Sequence, residues 1–138
     1  MRSLALVEKR YLTLEDADAL LVKIKPLIKK LQDIDDALEI FDSVEIEYDD
    51  SHSDAYFEIQ RNKRYHKLYL EFYKILESLL EKGCIVKNVE EGLIDFYSMC
   101  DGREIFLCWH LGEKKIKFWH EIETGFQGRK PISLLKKN

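Results

Sequence analysis

Residues 84–121 read CIVKNVEEGLIDFYSMCDGREIFLCWHLGEKKIKFWHE, and this stretch decides the fold. Its hydrophobic pattern repeats every second residue, so it reads as strands rather than helix. Four strands are expected, Cys84 to Val89, Leu93 to Ser98, Arg103 to His110 and Lys115 to Glu121, each joined to the next by a short turn. Asp101-Gly102 is a strong two-residue hairpin signal, Glu90-Glu91-Gly92 suits a three-residue loop with a left-handed glycine, and Gly112-Glu113 makes the third turn.

The turns fix a register, and the register sorts side chains onto two faces. One face collects Val86, Ile94, Phe96, Ile105, Leu107, Trp109, Ile116, Phe118 and His120, and is expected to lie on helices as the core. The other carries a cross-strand row of Lys87, Asp95, Cys108 and Lys117, a second row of Tyr97, Phe106 and Trp119, and His110 near the hairpin end. A face that mixes aromatics, a thiol and paired charges is not a plain solvent face. Either the segment 122–138, with Phe126, Ile132, Leu134 and Leu135, folds over it as a second small core, or it binds a ligand or another protein.

Upstream of Cys84 the period lengthens. Thr13 offers a side-chain cap with Asp16 three residues on, and the apolar positions then run Ala17, Leu20, Ile24, Leu27, Leu31, Ile34, Leu38, Phe41. Steps of three and four alternate without a break, as in a helix that packs along another helix. A helix over 14–48 is expected, kinked at Pro26. A second, over 54–82, has one apolar stripe at Tyr65, Leu68, Phe72, Ile75 and Leu79 and another at Tyr69, Tyr73, Leu76 and Leu80, and Gly83 stops it. The fold class is therefore α+β: a long antiparallel helical hairpin on a four-stranded antiparallel meander, one domain over 1–138.

Composition bounds the function classes. With 35% charged residues and a net charge of −4, a basic surface for nucleic acid is not expected. No apolar stretch is long enough for a signal peptide or a membrane span, and three cysteines without close spacing form no disulfide framework. A cytoplasmic protein with reduced thiols is expected. The richness in Lys, Glu and Ile with little Asn or Gln hints at a thermophilic source. Between Leu31 and Gln60 there is no Lys or Arg, whereas Asp33, Asp35, Asp36, Glu39, Asp42, Asp49, Asp50 and Asp54 are all acidic. That hairpin tip is a solvated end or a dock for a basic partner, and residues 49–54 lack the glycine and distal glutamate of a calcium loop.

Three chemistries can be weighed. A thiol reading takes Cys108 as nucleophile, Lys117 to stabilise its thiolate and His110 or Asp95 as base. No oxyanion hole or Cys-His-Asn signature accompanies it. A metal reading would combine Cys108, His110, His120 and Glu121, but the register sends His120 to the opposite face, where it reads as a core histidine with a hydrogen-bonded ring. No metal and no cofactor are expected, with Cys108, His110 and Glu121 the nearest to a ligand set. Gly125 to Lys130 could hold a phosphate through backbone donors and Arg129, yet it matches no phosphate-loop pattern. The ligand-binding candidates are Lys87, Asp95, Tyr97, Arg103, Phe106, Cys108, His110, Trp119 and Arg129.

The blocks Tyr11 to Ala17, Gly92 to Phe96, Asp101 to Glu104, Cys108-Trp109, Leu111-Gly112-Glu113, Trp119-His120 and Gly125 to Pro131 together resemble the family called domain of unknown function 2203. The resemblance spans most of residues 11–132. Tyr97 stands where proline usually follows Asp-Phe, and His110 where arginine is common, which weighs against a role for His110. The family implies a fold and not a mechanism. The leading expectation is a non-catalytic binding or protein-interaction module, homodimeric through the hairpin; the alternative is a small-molecule-binding protein or enzyme using the outer sheet face around Cys108.

Overall fold

The computed structural model describes residues 9–47 and 55–135, so the acidic stretch 49–54 and the ends of the chain lie outside the described residues. Helix α1 runs Leu14–Glu47 and α2 Ala55–Glu81. They are followed by β1 Cys84–Asn88, β2 Leu93–Cys100, β3 Arg103–His110 and β4 Phe118–Glu121. A two-residue strand, β5 (Lys130–Pro131), adds a fifth member to a sheet expected to have four. The strand order is β1-β2-β3-β4-β5, every neighbouring pair antiparallel.

Local chemistry sets the helix ends. Thr13 Oγ1 accepts the Asp16 N–H at 3.1 Å, so α1 begins at its expected cap, and it runs through Pro26 without a break. Ala17, Leu21, Ile24, Ile28, Leu31, Ile34 and Leu38 are buried, so Leu21 and Ile28 take the places expected of Leu20 and Leu27, which, like Phe41, are only partly covered. On α2 only Ile75 and Leu79 are buried, while Tyr65, Leu68, Tyr69, Phe72 and Leu76 are partly covered. Of the second stripe, Tyr73 and Leu80 are left exposed.

The β2–β3 hairpin is the one the sequence specifies. Asp101 (φ 54°) and Gly102 (φ 73°) both take left-handed backbone, the requirement of a two-residue hairpin turn, and Asp95 pairs with Cys108, Tyr97 with Phe106. Gly92 is fixed by contact as well as conformation: a Cβ there would stand 2.6 Å from that of Leu111. Two side chains of α1 tie the sheet to the helices, Gln32 donating to the carbonyls of Val89 and Glu90 and Asp18 accepting the Ile116 N–H at 2.8 Å.

The β3–β4 pair departs from expectation by one residue. Cys108 pairs with Phe118 and Leu107 with Trp119, so Lys117 is not in the cross-strand row, and β4 begins at Phe118 rather than Lys115. Trp119 turns into the core, whereas Phe118 and His120, expected there, face outward with Cys108. The cause is the connection. Glu113 closes a tight turn, its N–H donating to the His110 carbonyl at 3.0 Å, but no ladder continues from it: its carboxylate accepts the His110 N–H at 2.7 Å and its carbonyl accepts the Trp109 indole N–H at 2.9 Å. Ile116 is then buried and held by Asp18, which delays the strand until Phe118.

Trp109 and Arg103 separate core from surface. Trp109 is fully buried, so Trp109→Ala is expected to cost about 3–5 kcal/mol and to lower the melting temperature by about 10 °C or more. Arg103 is exposed and pairs with Glu121 at 3.1 Å, an interaction worth about 0–1 kcal/mol, so Arg103→Ala should stay within a few degrees of the parent by calorimetry.

Candidate functional site

Asp95 on β2, Cys108 on β3 and His120 on β4 form a three-strand cluster on the sheet face turned away from the helices. All three are buried, with relative exposures of 2%, 0% and 1%. One donor atom from each lies within 4.8 Å of the other two. The positions follow from period two: odd and even parity alternate across the strands so that Asp95 faces Cys108 directly and His120 stands diagonally, one pair along.

The hydrogen bonds of His120 count its protons. Nδ1 lies 2.7 Å from the Glu121 carbonyl, which can only accept, so Nδ1 carries a hydrogen. Nε2 lies 3.1 and 3.2 Å from the two oxygens of Asp95, and that contact is a bond only with one further proton shared between imidazole and carboxyl. Asp95 and His120 thus form a buried pair at net neutrality. Burial, with the Asp95 carboxylate beside it, pushes the Cys108 thiol from its ordinary 9.0 up to about 12, against the opposite pull of Arg129. Cys108 is a protonated thiol at neutral pH, the reverse of an activated nucleophile.

Arg129 straps the neighbouring strand. Its guanidinium lies 4.1 Å from the Phe118 ring centre and 4.7 Å from that of Phe126, donates to the Cys108 carbonyl at 3.3 Å, and pairs with Glu113 at 2.6 Å. Lys87 covers the other side, with its ammonium 4.7 Å from the Phe106 ring centre, and Phe106 in turn touches both Tyr97 and His120. Among the described residues of the C-terminal segment, Phe126 and Arg129 cover this face; Ile132 and Leu135 pack instead against the helix-side core, and Leu134 is exposed.

Of the residues singled out from the sequence, Lys87, Asp95, Tyr97, Phe106, Cys108 and Arg129 come together here. Trp119 does not, because the register turns it inward, and Lys117 is exposed outside the strand. His110 holds its own chain through the Leu111 carbonyl and sits against Phe126, while the Glu121 carboxylate is engaged by Arg103 and Lys130. Glu113 and His120 are the additions. The expected register sends His120 to the opposite face, and Glu113 lies in an expected turn, so neither stands out in the sequence as a partner of this cluster.

Asp95, Cys108, Glu113, His120 and Arg129 come from five separate blocks of the resemblance, and the family model described as uncharacterized conserved protein (DUF2203) matches residues 10–132. The chain belongs to this family. Neither a curated protein nor a solved structure matches it. The family match spans the α1 cap, the meander and the strap of Arg129, so the cluster and its cover lie wholly within the matched region.

The thiol offers a direct check. In the folded protein Cys108 should resist iodoacetamide at pH 8 and label only after unfolding or as pH approaches 12, read by mass spectrometry of the modified peptide. The folded-state value is raised, so the corresponding stability is present below pH 9 and is lost as pH rises toward 12. Ready labelling of the native protein at pH 8 would contradict the burial described.

Proposed function

We propose that the protein is a non-catalytic interaction module that self-associates through the outer side of α2. The carrying observation is a second heptad row on that helix: Tyr56, Ile59, Lys63, His66, Leu70, Tyr73, Glu77 and Leu80, in alternating steps of three and four. Its five apolar members are between 38% and 73% exposed, although the spacing is that of a helix-packing seam. The five apolar members share one side of the helix at packing spacing, with Lys63, His66 and Glu77 set between them.

A second copy of this chain is the occupant that fits. Lys63 and Glu77 lie two turns from Leu70 on either side, so an antiparallel two-fold pairing centred on Leu70 sets each lysine opposite a glutamate and brings the Ile59 and Leu80 ends together. Helix length supports the same reading. The 34 residues of α1 rise about 51 Å, whereas the longest strands, of 8 residues, reach about 27 Å. The distal half of the hairpin has no sheet to lie on.

The alternative, an enzyme acting at Cys108, meets a sealed face and a protonated thiol, and no observation favours it. We place the protein in the cytoplasm on the strength of three buried, unbridged cysteines, which suit a reducing compartment. Among the described residues no helix is long and apolar enough to cross a membrane.

Sedimentation equilibrium tests the association. The parent should be dimeric at micromolar concentration and Leu70→Glu monomeric with an unchanged far-ultraviolet spectrum. Lys63→Glu should weaken the dimer at least about tenfold, equivalent to 1.4 kcal/mol, and adding Glu77→Lys should restore it. A parent monomeric at high micromolar concentration, or a dimer indifferent to Leu70→Glu, would refute the proposal.

A further inference from the structure

The geometry points to a transition-metal site at Asp95, Cys108 and His120, taking zinc or its spectroscopic stand-in cobalt. It is independent of the α2 seam, since it lies on the sheet face away from the helices. Three donors of different type, one each of carboxylate oxygen, thiol sulfur and imidazole nitrogen, converge from three strands within 4.8 Å of one another. Sulfur and imidazole exclude calcium and magnesium, which take oxygen ligands, and suit zinc. Tetrahedral zinc with bonds of about 2.0–2.3 Å sets its donors roughly 3.3–3.8 Å apart, so closing the cluster on an ion asks for side-chain shifts of about 1 Å.

The second observation is the far side of the imidazole. A metal-binding histidine holds its other ring N–H on a carbonyl or carboxylate, which orients the ring and leaves the remaining nitrogen bare for the ion. His120 Nδ1 is held in this way by the Glu121 carbonyl at 2.7 Å, and Nε2 is the nitrogen turned to Asp95. The three residues are also supported from outside. Cys108 lies in a strand whose carbonyl is gripped by Arg129, and Arg129 is itself held by Glu113.

The ligand set also suits a buried ion: a thiolate, a carboxylate and a neutral imidazole around a dication sum to zero net charge, the condition that makes burial tolerable. With three protein ligands, water completes the fourth position.

The test is titration of chelator-treated, full-length protein with cobalt and then zinc. Expected are visible d–d bands of tetrahedral cobalt with a near-ultraviolet thiolate-to-cobalt band, both bleached by zinc at one ion per chain, and a melting temperature raised by zinc. Cys108→Ser should abolish the charge-transfer band, and His120→Gln should weaken zinc binding more than about a hundredfold, since loss of even an outer-shell partner costs roughly 10- to 100-fold. Cys100→Ser should leave the band intact. If the Cys108 variant does not fold, X-ray absorption of the zinc-loaded parent decides: a shell containing one sulfur and one imidazole supports the site, and a shell without sulfur overturns it. A folded parent that shows neither the cobalt band nor stabilisation by zinc also overturns it.

Discussion

The pairing of Leu107 with Trp119 sets which side of β4 faces the helices, and through it the whole composition of the outer face. Burying an indole removes the largest apolar surface available in that strand, about 25 cal/mol for each Å² covered. Its N–H then finds the Pro131 carbonyl at 3.2 Å, so no polar atom is stranded and β5 is drawn alongside β4. Once Trp119 is inside, period two leaves no choice for its neighbours. Phe118 supports Arg129, and His120 meets Asp95.

The Asp95–His120 pair in turn penalises any other register. If β4 slipped by one residue, Asp95 would stay buried between its own neighbours but lose the imidazole, and an uncompensated buried charge costs about 3–5 kcal/mol. The slipped register would also put Trp119 on the face already occupied by Phe106. Core packing and outer-face polarity therefore select the same alignment, and that agreement between independent requirements is what gives one well-defined arrangement.

The sequence made most of this legible. The Thr13 cap, the Asp101-Gly102 hairpin and the pairing of Asp95 with Cys108 each rest on a local signal and each stands in the structure, while on α1 the buried side shifts to Leu21 and Ile28 because adjacent leucines and isoleucines at 20–21 and 27–28 fit either stripe. The β4 register could not be read because Phe118 and Trp119 are adjacent aromatics, so hydrophobic alternation fits either parity. What decides between them is non-local: Asp18 on α1 captures the Ile116 N–H, 98 residues away in the chain, and so delays the start of β4. The same ambiguity conceals the candidate site, since only the observed parity sets His120 on the face of Cys108. β5 leaves no trace in the sequence pattern, because two residues containing a proline carry almost no strand signal.

The two halves of the hairpin are stabilised by different things. Near the sheet, Ile75 and Leu79 of α2 are buried with Ile24 and Ile28 of α1 in the main core, and that half shares the cooperativity of the sheet. Farther out, α2 has only half-buried contacts such as Tyr65, Leu68 and Phe72, with Tyr65 reaching Asp42 at 3.3 Å. A helix gains most of its stability from packing an apolar face, so the outer half is the weaker part of the molecule when the chain is alone. Burying the Leu70 seam against a second copy would strengthen that half while leaving the sheet untouched. Order in the distal turns of α2 and the dimer would then be two readouts of one free energy, rising together with protein concentration, whereas the outer sheet face, locked by Trp119 and His120, would be indifferent to it.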